Sequence, residues 1–492
     1  MSPAARRVPL QMDPAEFRAA GHALVDAIAA FLPTLGDRPV TPNESPDQVQ
    51  AALDATARLP EQGTNAAVLL ERAASLLFDH SLFNGHPRFL GYITSSPAPI
   101  GMLGDLLAAA VNPNCGAWRL SPMASEIEAQ VIRWIADLVG YPRECGGVLV
   151  SGGNMANIVP FWAARAAVAA GVRERGMPAL AAPLAVYASA ETHTWLHKAT
   201  DLAGLGTAAI RWIPTDRDLR MDLAALREAL GADRTRGVTP MMVVGTAGSV
   251  STGAMDPLPE LAELCRAEQV WFHVDGAYGA LAAAVPGAAP ELAALAEADS
   301  VAVDPHKWLY APLEAGCALV RDPARLREAF AYHPPYYHFG QAAINYVDMG
   351  PQNSRGFRAL KVWLALQQAG RAGYRQMISD DIALARRLHR HVEAHPELEP
   401  FTQSLSITTF RFVPTEWRDA VGTPDGEARL NALNSALLER IQGSGEAFVS
   451  NAVVRGSYLL RACIVNFNTT EADVDALPDI VVRLGREVMA AA

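Results

Sequence analysis

Residues 301–310 read VAVDPHKWLY. A short apolar run ends at Asp304-Pro305, and Lys307 then stands between His306 and Trp308. Lysines are mostly surface residues that keep their ammonium in water. One placed directly after a strand-like run needs another explanation. A lysine desolvated at a strand end has a lowered pKa and becomes a nucleophile, the requirement for a Schiff base with a carbonyl compound. Alone, the surface reading is the commoner one, and the surrounding sequence decides between the two.

Outward from that stretch, apolar runs recur at 147–150, 184–188, 208–213, 241–244, 270–274, 300–303 and 316–320. Helical segments lie between several of them, among them 155–170, 222–230 and 258–268. Strands alternating with helices predict a mostly parallel α/β sheet with helices on both faces. Such sheets collect ligands at the carboxyl ends of their strands. Beyond about 373 the order becomes helix, strands (406–412 and 458–465) and helix, a smaller C-terminal α+β domain. At the other end, 13–33 has the spacing of an amphipathic helix, with Asp13 as cap, Pro14 at the first position, and Phe17, Leu24, Ile28 and Phe31 near one stripe. It is either a surface helix on its own core or an arm packed across a partner subunit.

Three strand ends carry chemistry. SGGNMAN (151–157) follows GVLV and opens a helix; its glycines allow a tight bend, and amides at a helix start attract a phosphate. It lacks the lysine of a P-loop and the spacing of a dinucleotide fingerprint. WFHVDGAYGA (271–280) delivers Asp275 to the end of an apolar run. There it is either a turn cap or a carboxylate kept ionised by a cation such as a protonated pyridine nitrogen. Lys307 is the third. A phosphate turn, a carboxylate and an amine in that order are what pyridoxal 5′-phosphate (PLP) needs. In ETHTWLH (191–197), His193 and His197 have the spacing of a zinc helix, but Thr194 stands where H-E-x-x-H has its glutamate. No metal is expected. A ring stacked on a cofactor face is the functional reading of His193, and a surface or packed histidine that of His197.

Bulk properties exclude other classes. Lys+Arg 41 against Asp+Glu 52 gives −11 over 492 residues, with no basic stripe, so neither nucleic acid nor a polybasic membrane contact is expected. The arginines near the N-terminus have no apolar stretch behind them, which predicts no signal peptide. Five scattered cysteines without a C-x-x-C pair suit free thiols in a reducing compartment, hence a cytoplasmic protein.

Taken together, HPRFLGY (86–92), WRLSPMASEIE (118–128), SGGNMAN, the histidine of ETHTW, GTAGS (245–249), HVDGAYG, DPHKW and SRGFRALKVW (354–363) make the chain resemble the group II PLP-dependent decarboxylases, the aromatic-L-amino-acid and glutamate decarboxylase family. The SPMASEIE segment is similar to the aromatic branch. The resemblance implies the type I PLP-dependent transferase (aspartate aminotransferase-like) fold, with a seven-stranded sheet. It implies an N-terminal dimerisation segment over 1–85, a large PLP domain over 86–373 and a small domain over 374–492. It implies an L-amino acid decarboxylated to the amine and CO2 by a homodimer whose active site lies at the subunit interface.

By the same resemblance, Lys307 is the amine that joins the cofactor, Asp275 pairs with its ring nitrogen, His193 stacks on the ring and Ala277 packs beneath it. Gly153, Asn154 and His306 neighbour the phosphate, Thr246 the ring, and Tyr92 the substrate. In HPPYYHF (333–339), Tyr336 corresponds to the family's mobile-loop tyrosine, a proton donor, with Tyr337 as the adjacent alternative. Asp304 stands where several relatives carry asparagine; a carboxylate would repel phosphate, so it is left out of that set. Asn84, Ile93 and Gly116 replace bulkier or aromatic residues of the aromatic enzymes. A small polar or acidic substrate, meeting Arg88 or Arg119, is therefore the alternative to an aromatic one. A decarboxylating aldehyde synthase is another, although His193 and Tyr336 favour simple decarboxylation.

Overall fold

The computed structural model describes residues 8–169, 171–333 and 343–491. Near the N-terminus, α1 (Pro14–Phe31) is capped by Asp13, whose carboxylate accepts from the Ala15 and Glu16 amides. It packs on α2 (Ala66–Asp79) through Phe31 and Phe78, stacked with centroids 4.1 Å apart. Phe17 and Val25 stay exposed. Among the described residues, Pro14–Asp37 is the one stretch long and apolar enough by composition to cross a membrane. Asp26 lies within it, and Leu35 packs inside the chain.

After α3 (Pro122–Val139), seven strands form the main sheet: β1 (Gly146–Val150), β2 (Leu184–Ser189), β3 (Ile210–Ile213), β4 (Thr239–Thr246), β5 (Trp271–Asp275), β6 (Ser300–Val303) and β7 (Gly316–Val320). Their order is β1-β7-β6-β5-β4-β2-β3. Pairings are parallel except those of β7, which runs against both neighbours. The six other strands therefore point the same way, and their carboxyl ends share one edge. Helix α4 (Gly153–Val168) follows β1, and α5 (Trp195–Leu202) follows β2. The expected strand over 208–213 begins only at Ile210, because Thr207–Ala209 is a 3-10 turn.

The chain then enters α6 (Ala359–Ala394), a long helix broken at Gly370, where φ is +64°. A second sheet holds β8 (Leu398–Ser404), β9 (Ile407–Phe412), β10 (Ser450–Val454) and β11 (Ser457–Cys463), all antiparallel in the order β10-β11-β9-β8. It packs against α7 (Pro424–Ser444) and α8 (Glu471–Ala491) around Phe410, Phe412, Leu437 and Val481. The two strands expected here are the central pair, β9 and β11. The two edge strands are additions: β8 contains Pro400 beside a register shift, a residue sheets admit at edges. All five cysteines are free thiols.

A buried ion pair braces the edge where β1 ends. Arg355 donates to both oxygens of Glu128, to the Cys115 carbonyl and to the Leu149 carbonyl, while Glu128 also accepts the Leu149 amide. Both side chains are almost wholly excluded from water. This pair is the structural content of the SPMASEIE and SRGF motifs: it locks the helix before β1 and the segment before α6 onto β1. Arg355→Ala strands the Glu128 charge and is expected to lower stability by about 3–5 kcal/mol in urea unfolding. Replacing both residues by methionine is expected to cost less than the single change.

Candidate active site

The sheet's carboxyl edge opens into a cavity of about 490 Å³. Its wall includes Lys307, Asp275, His193, Ala277, Gly153, Asn154, Thr246, His306 and Tyr92, nine residues named from the sequence. Tyr336 and Tyr337 lie outside the described residues.

The lysine turn is held by hydrogen bonds at each position. The Lys307 amide donates to the Asp304 carbonyl at 2.9 Å, and the His306 amide to the Ala315 carbonyl. His306 Nδ1 lies 2.6 Å from the Ala315 oxygen, so it carries the proton there and leaves Nε2 facing the cavity side of Asp304. Burial lowers the proton affinity of His306. Lys307 Nζ sits 3.3 Å from Asp304 Oδ2. Next along the chain, Trp308 is fully buried, stacks on Tyr278 at 4.7 Å and donates its indole N–H to Asp381 of α6 at 2.8 Å. Tyr310, with φ +52°, donates its hydroxyl to the same Asp381 oxygen at 2.7 Å. Burial pushes the Asp381 carboxyl up to about 7, and these two donors oppose the shift.

Asp275 is equally constrained. Its Oδ2 accepts the Trp195 indole N–H at 2.8 Å, and its Oδ1 the Ala277 amide at 3.2 Å. Trp195 meets His273 edge-on. Burial pushes His273 down to about 4, so its ring is neutral near neutral pH. The Trp271 indole donates to Ser300 Oγ, which leaves the Ser300 hydroxyl to donate to His273 Nδ1. His273 Nε2 then donates to Asn157 Oδ1 at 2.7 Å, and Asn157 Nδ2 donates to the Gly153 carbonyl. One polar chain thus fixes the first turn of α4 against β5. His193 faces the cavity with Nδ1 accepting the Trp195 amide at 3.3 Å. Burial lowers its proton affinity; Asp275 opposes this and Lys307 reinforces it.

The residues present fit PLP. At the start of α4, Gly152 has φ +99°, and a Cβ on Gly153 would lie 2.5 Å from Asp304 Oδ2, so only glycines leave the amide cradle open to an anion. A primary amine, a carboxylate with both oxygens oriented, and an imidazole share the same cavity with that cradle. This is the donor set for an aldehyde, a pyridine nitrogen and an aromatic face.

Comparison with known proteins agrees with the geometry. The pyridoxal-dependent decarboxylase conserved domain matches residues 46–412. The chain belongs to the pyridoxal-dependent decarboxylase family. It is 32% identical to an aromatic-L-amino-acid decarboxylase of Bacillus atrophaeus, over 97% of each chain. It is 30% identical to a phenylacetaldehyde synthase of a Rosa hybrid cultivar, covering 94% of this chain and 92% of that one. The solved structure of Oryza sativa TDC with PLP and tryptamine superposes with a TM-score of 0.90 at 29% identity, covering 98% of this chain and 100% of that one. This family member is a carboxy-lyase that decarboxylates an amino acid with PLP as cofactor.

The cavity also contains residues that the sequence reading did not assign. Arg461 of β11 is buried at its wall, with Nη1 donating to Ser450 Oγ and Nη2 to the Tyr92 carbonyl, while Nε has no partner among the described residues. The expected cations do not reach it: Arg88 lies 3.9 Å from Asp473, and Arg119 is in an exposed turn. Of the three substrate-region positions, Ile93 lines the cavity, whereas Asn84 lines a separate apolar one under the N-terminal helices. Gly116 has no room for a side chain, since a Cβ would meet the Asn353 carbonyl at 2.1 Å. His197 leans on Trp212, ring centroids 5.0 Å apart.

Trp195→Phe keeps an aromatic ring at this buried position and removes the donor to Asp275. The carboxylate then loses its fixed orientation, and PLP binding to the apoprotein is expected to weaken about 10-fold, or about 1.4 kcal/mol. Absorbance titration measures this; unchanged affinity would show that the indole does not orient Asp275.

Proposed function

We propose that this decarboxylase acts on an aromatic L-amino acid, releasing the corresponding amine. The observation that supports the reading most is the likeness to the Bacillus atrophaeus enzyme over 97% of both chains. Ile93, Val250 and Leu313, on the same cavity wall as Lys307, suit an apolar side chain. A second reading, a polar or acidic amino acid, is favoured by Arg461, a buried guanidinium with an unpartnered Nε at that wall. The phenylacetaldehyde synthase likeness keeps an aldehyde product in view as a third outcome.

Bound PLP supplies the electron sink for the pair left when the bond from Cα to the carboxylate breaks. In this reading Lys307 Nζ is the amine that would hold the cofactor. Asp275, its oxygens fixed by the Trp195 indole and the Ala277 amide, holds a proton on the ring nitrogen. His193 and Ala277, which line the same cavity, would hold the ring by packing against it. The α4 amides at Gly153 and Asn154 would hold the phosphate with His306 as a neighbour, and Thr246 would lie beside the ring. Tyr92 borders the substrate. Tyr336 (or its neighbour Tyr337) returns a proton to Cα, a general-acid step.

The same reading includes a cytoplasmic homodimer, with the loop around Tyr336 reaching the partner's cavity and the segment 1–85 packing between subunits. It also takes the domain boundaries at 85/86 and 373/374.

A panel of aromatic, aliphatic, polar and acidic L-amino acids, each assayed for CO2, amine and aldehyde, tests the substrate class. Aromatic substrates are expected to give amine and CO2 in equal amounts; preference for an acidic member would install the second reading. Tyr336→Phe, assayed in air-saturated buffer, is expected to slow amine release and shift product toward aldehyde, ammonia and hydrogen peroxide, with dioxygen consumed as the oxidant. Amine at the normal rate would remove Tyr336 from the proton step.

A further inference from the structure

Asp304 is the buried carboxylate to which the reaction gives no task. It is 1% exposed. Its Oδ2 lies 3.3 Å from Lys307 Nζ and 3.8 Å from His306 Nε2, while Oδ1 is buried with no partner among the described residues. It lies directly under the first turn of α4, close enough that a Cβ on Gly153 would come within 2.5 Å of it. The amide cradle for a phosphate therefore has an acid of its own beneath it.

Groups on its own turn and on β5 act on the Asp304 charge. Lys307 and His306, on its own turn, favour the carboxylate. Burial and Asp275 on β5 favour the neutral acid, and burial is the larger influence. His193 faces the same cavity, and Cys317 on β7 is a thiol that burial keeps protonated. An additional negative charge nearby acts in the same direction as burial and Asp275, toward the acid.

We propose that Asp304 takes up one proton from solvent when the cofactor phosphate binds, so that it meets the phosphate as a hydrogen-bond donor instead of a like charge. The proposal rests on PLP being the cofactor. One O–H bond forms with the proton drawn from solvent, and no bond between heavy atoms changes. Because the complex then carries a proton that the apoprotein lacks, cofactor affinity falls as pH rises through the range in which Asp304 is ionised in the apoprotein. Asp304 is a positioning residue of the cradle that makes cofactor retention sensitive to pH.

Pyridoxamine 5′-phosphate, which has no aldehyde, tests this without the Lys307 chemistry. Equilibrium dialysis of the full-length apoprotein between pH 6 and 9 compares wild type with Asp304→Asn, which donates a hydrogen bond at every pH. The variant is expected to bind more tightly, its advantage growing about tenfold per pH unit over part of that range. With pyridoxamine, which lacks the phosphate, the ratio is expected not to change with pH. Calorimetry in two buffers of different ionisation enthalpy gives a second measurement. Wild type is expected to take up about one proton more than the variant, and wild-type uptake needs no variant to be read. A pH-independent ratio, a wild-type advantage, or equal proton uptake would overturn the proposal and leave Asp304 as an ionised partner of Lys307. If neither protein bound pyridoxamine 5′-phosphate or PLP, the cofactor assignment itself would fail, and the proposal with it.

Discussion

Asp381 accepts two hydrogen bonds from the lysine turn, one from the Trp308 indole and one from the Tyr310 hydroxyl, and the rest of the site depends on that anchor. It sits on α6, the helix that runs from the PLP-binding sheet into the second sheet. Tyr278, stacked on Trp308, adds another tie by donating its hydroxyl or accepting at Ser406 Oγ, 2.7 Å away and next to β9. The Lys307 amine is thus positioned by both parts of the fold at once. A lone lysine at a strand end would swing; this one follows a turn whose next residues are clamped in a fully buried layer.

A second constraint runs through the sheet edge itself. Six strands pointing the same way bring the α4 cradle, His193, Thr246, Asp275 and the lysine turn to one side, although these residues are far apart in sequence. The hydrogen-bond chain from Trp271 through Ser300, His273 and Asn157 to Gly153 then ties the α4 cradle to β5 and β6. Such buried polar chains are costly unless fully satisfied, and here each member has its partner. Preorganisation of this kind matters for a reaction whose chemistry belongs to the cofactor, because the protein's contribution is orientation and electrostatics.

Much of this was legible in sequence because the strands are continuous apolar runs, buried on both faces, and each chemical residue follows one of them. VAVDPHK and WFHVDG state both the strand and what it delivers. The helix over 258–268 and the central strands of the second sheet were readable for the same reason. The edge strands Leu398–Ser404 and Ser450–Val454 were not: one contains proline and polar residues, and the other alternates buried with exposed positions over a short length. Pairwise partners were also hidden. Trp195 sat inside a quoted motif, but nothing local says that its indole reaches Asp275, 80 residues on. Arg461, a charge within the apolar run YLLRACIV, was a signal that could have been followed; Arg88 and Arg119 drew attention instead because they lie in family-like motifs. Asp304 was visible as a departure from relatives, yet its role depends on the closeness of Gly153, which only the fold supplies.

The central claim is that Lys307 is the residue through which this family member holds its cofactor. Borohydride reduction of the PLP-loaded protein, followed by proteolysis and mass spectrometry, tests it most directly. The account predicts a single reduced pyridoxyl adduct, located on the peptide containing DPHKWLY and assigned to Lys307 by fragmentation. An adduct on Lys198 or Lys361, or none at all in protein that still releases CO2, would contradict it.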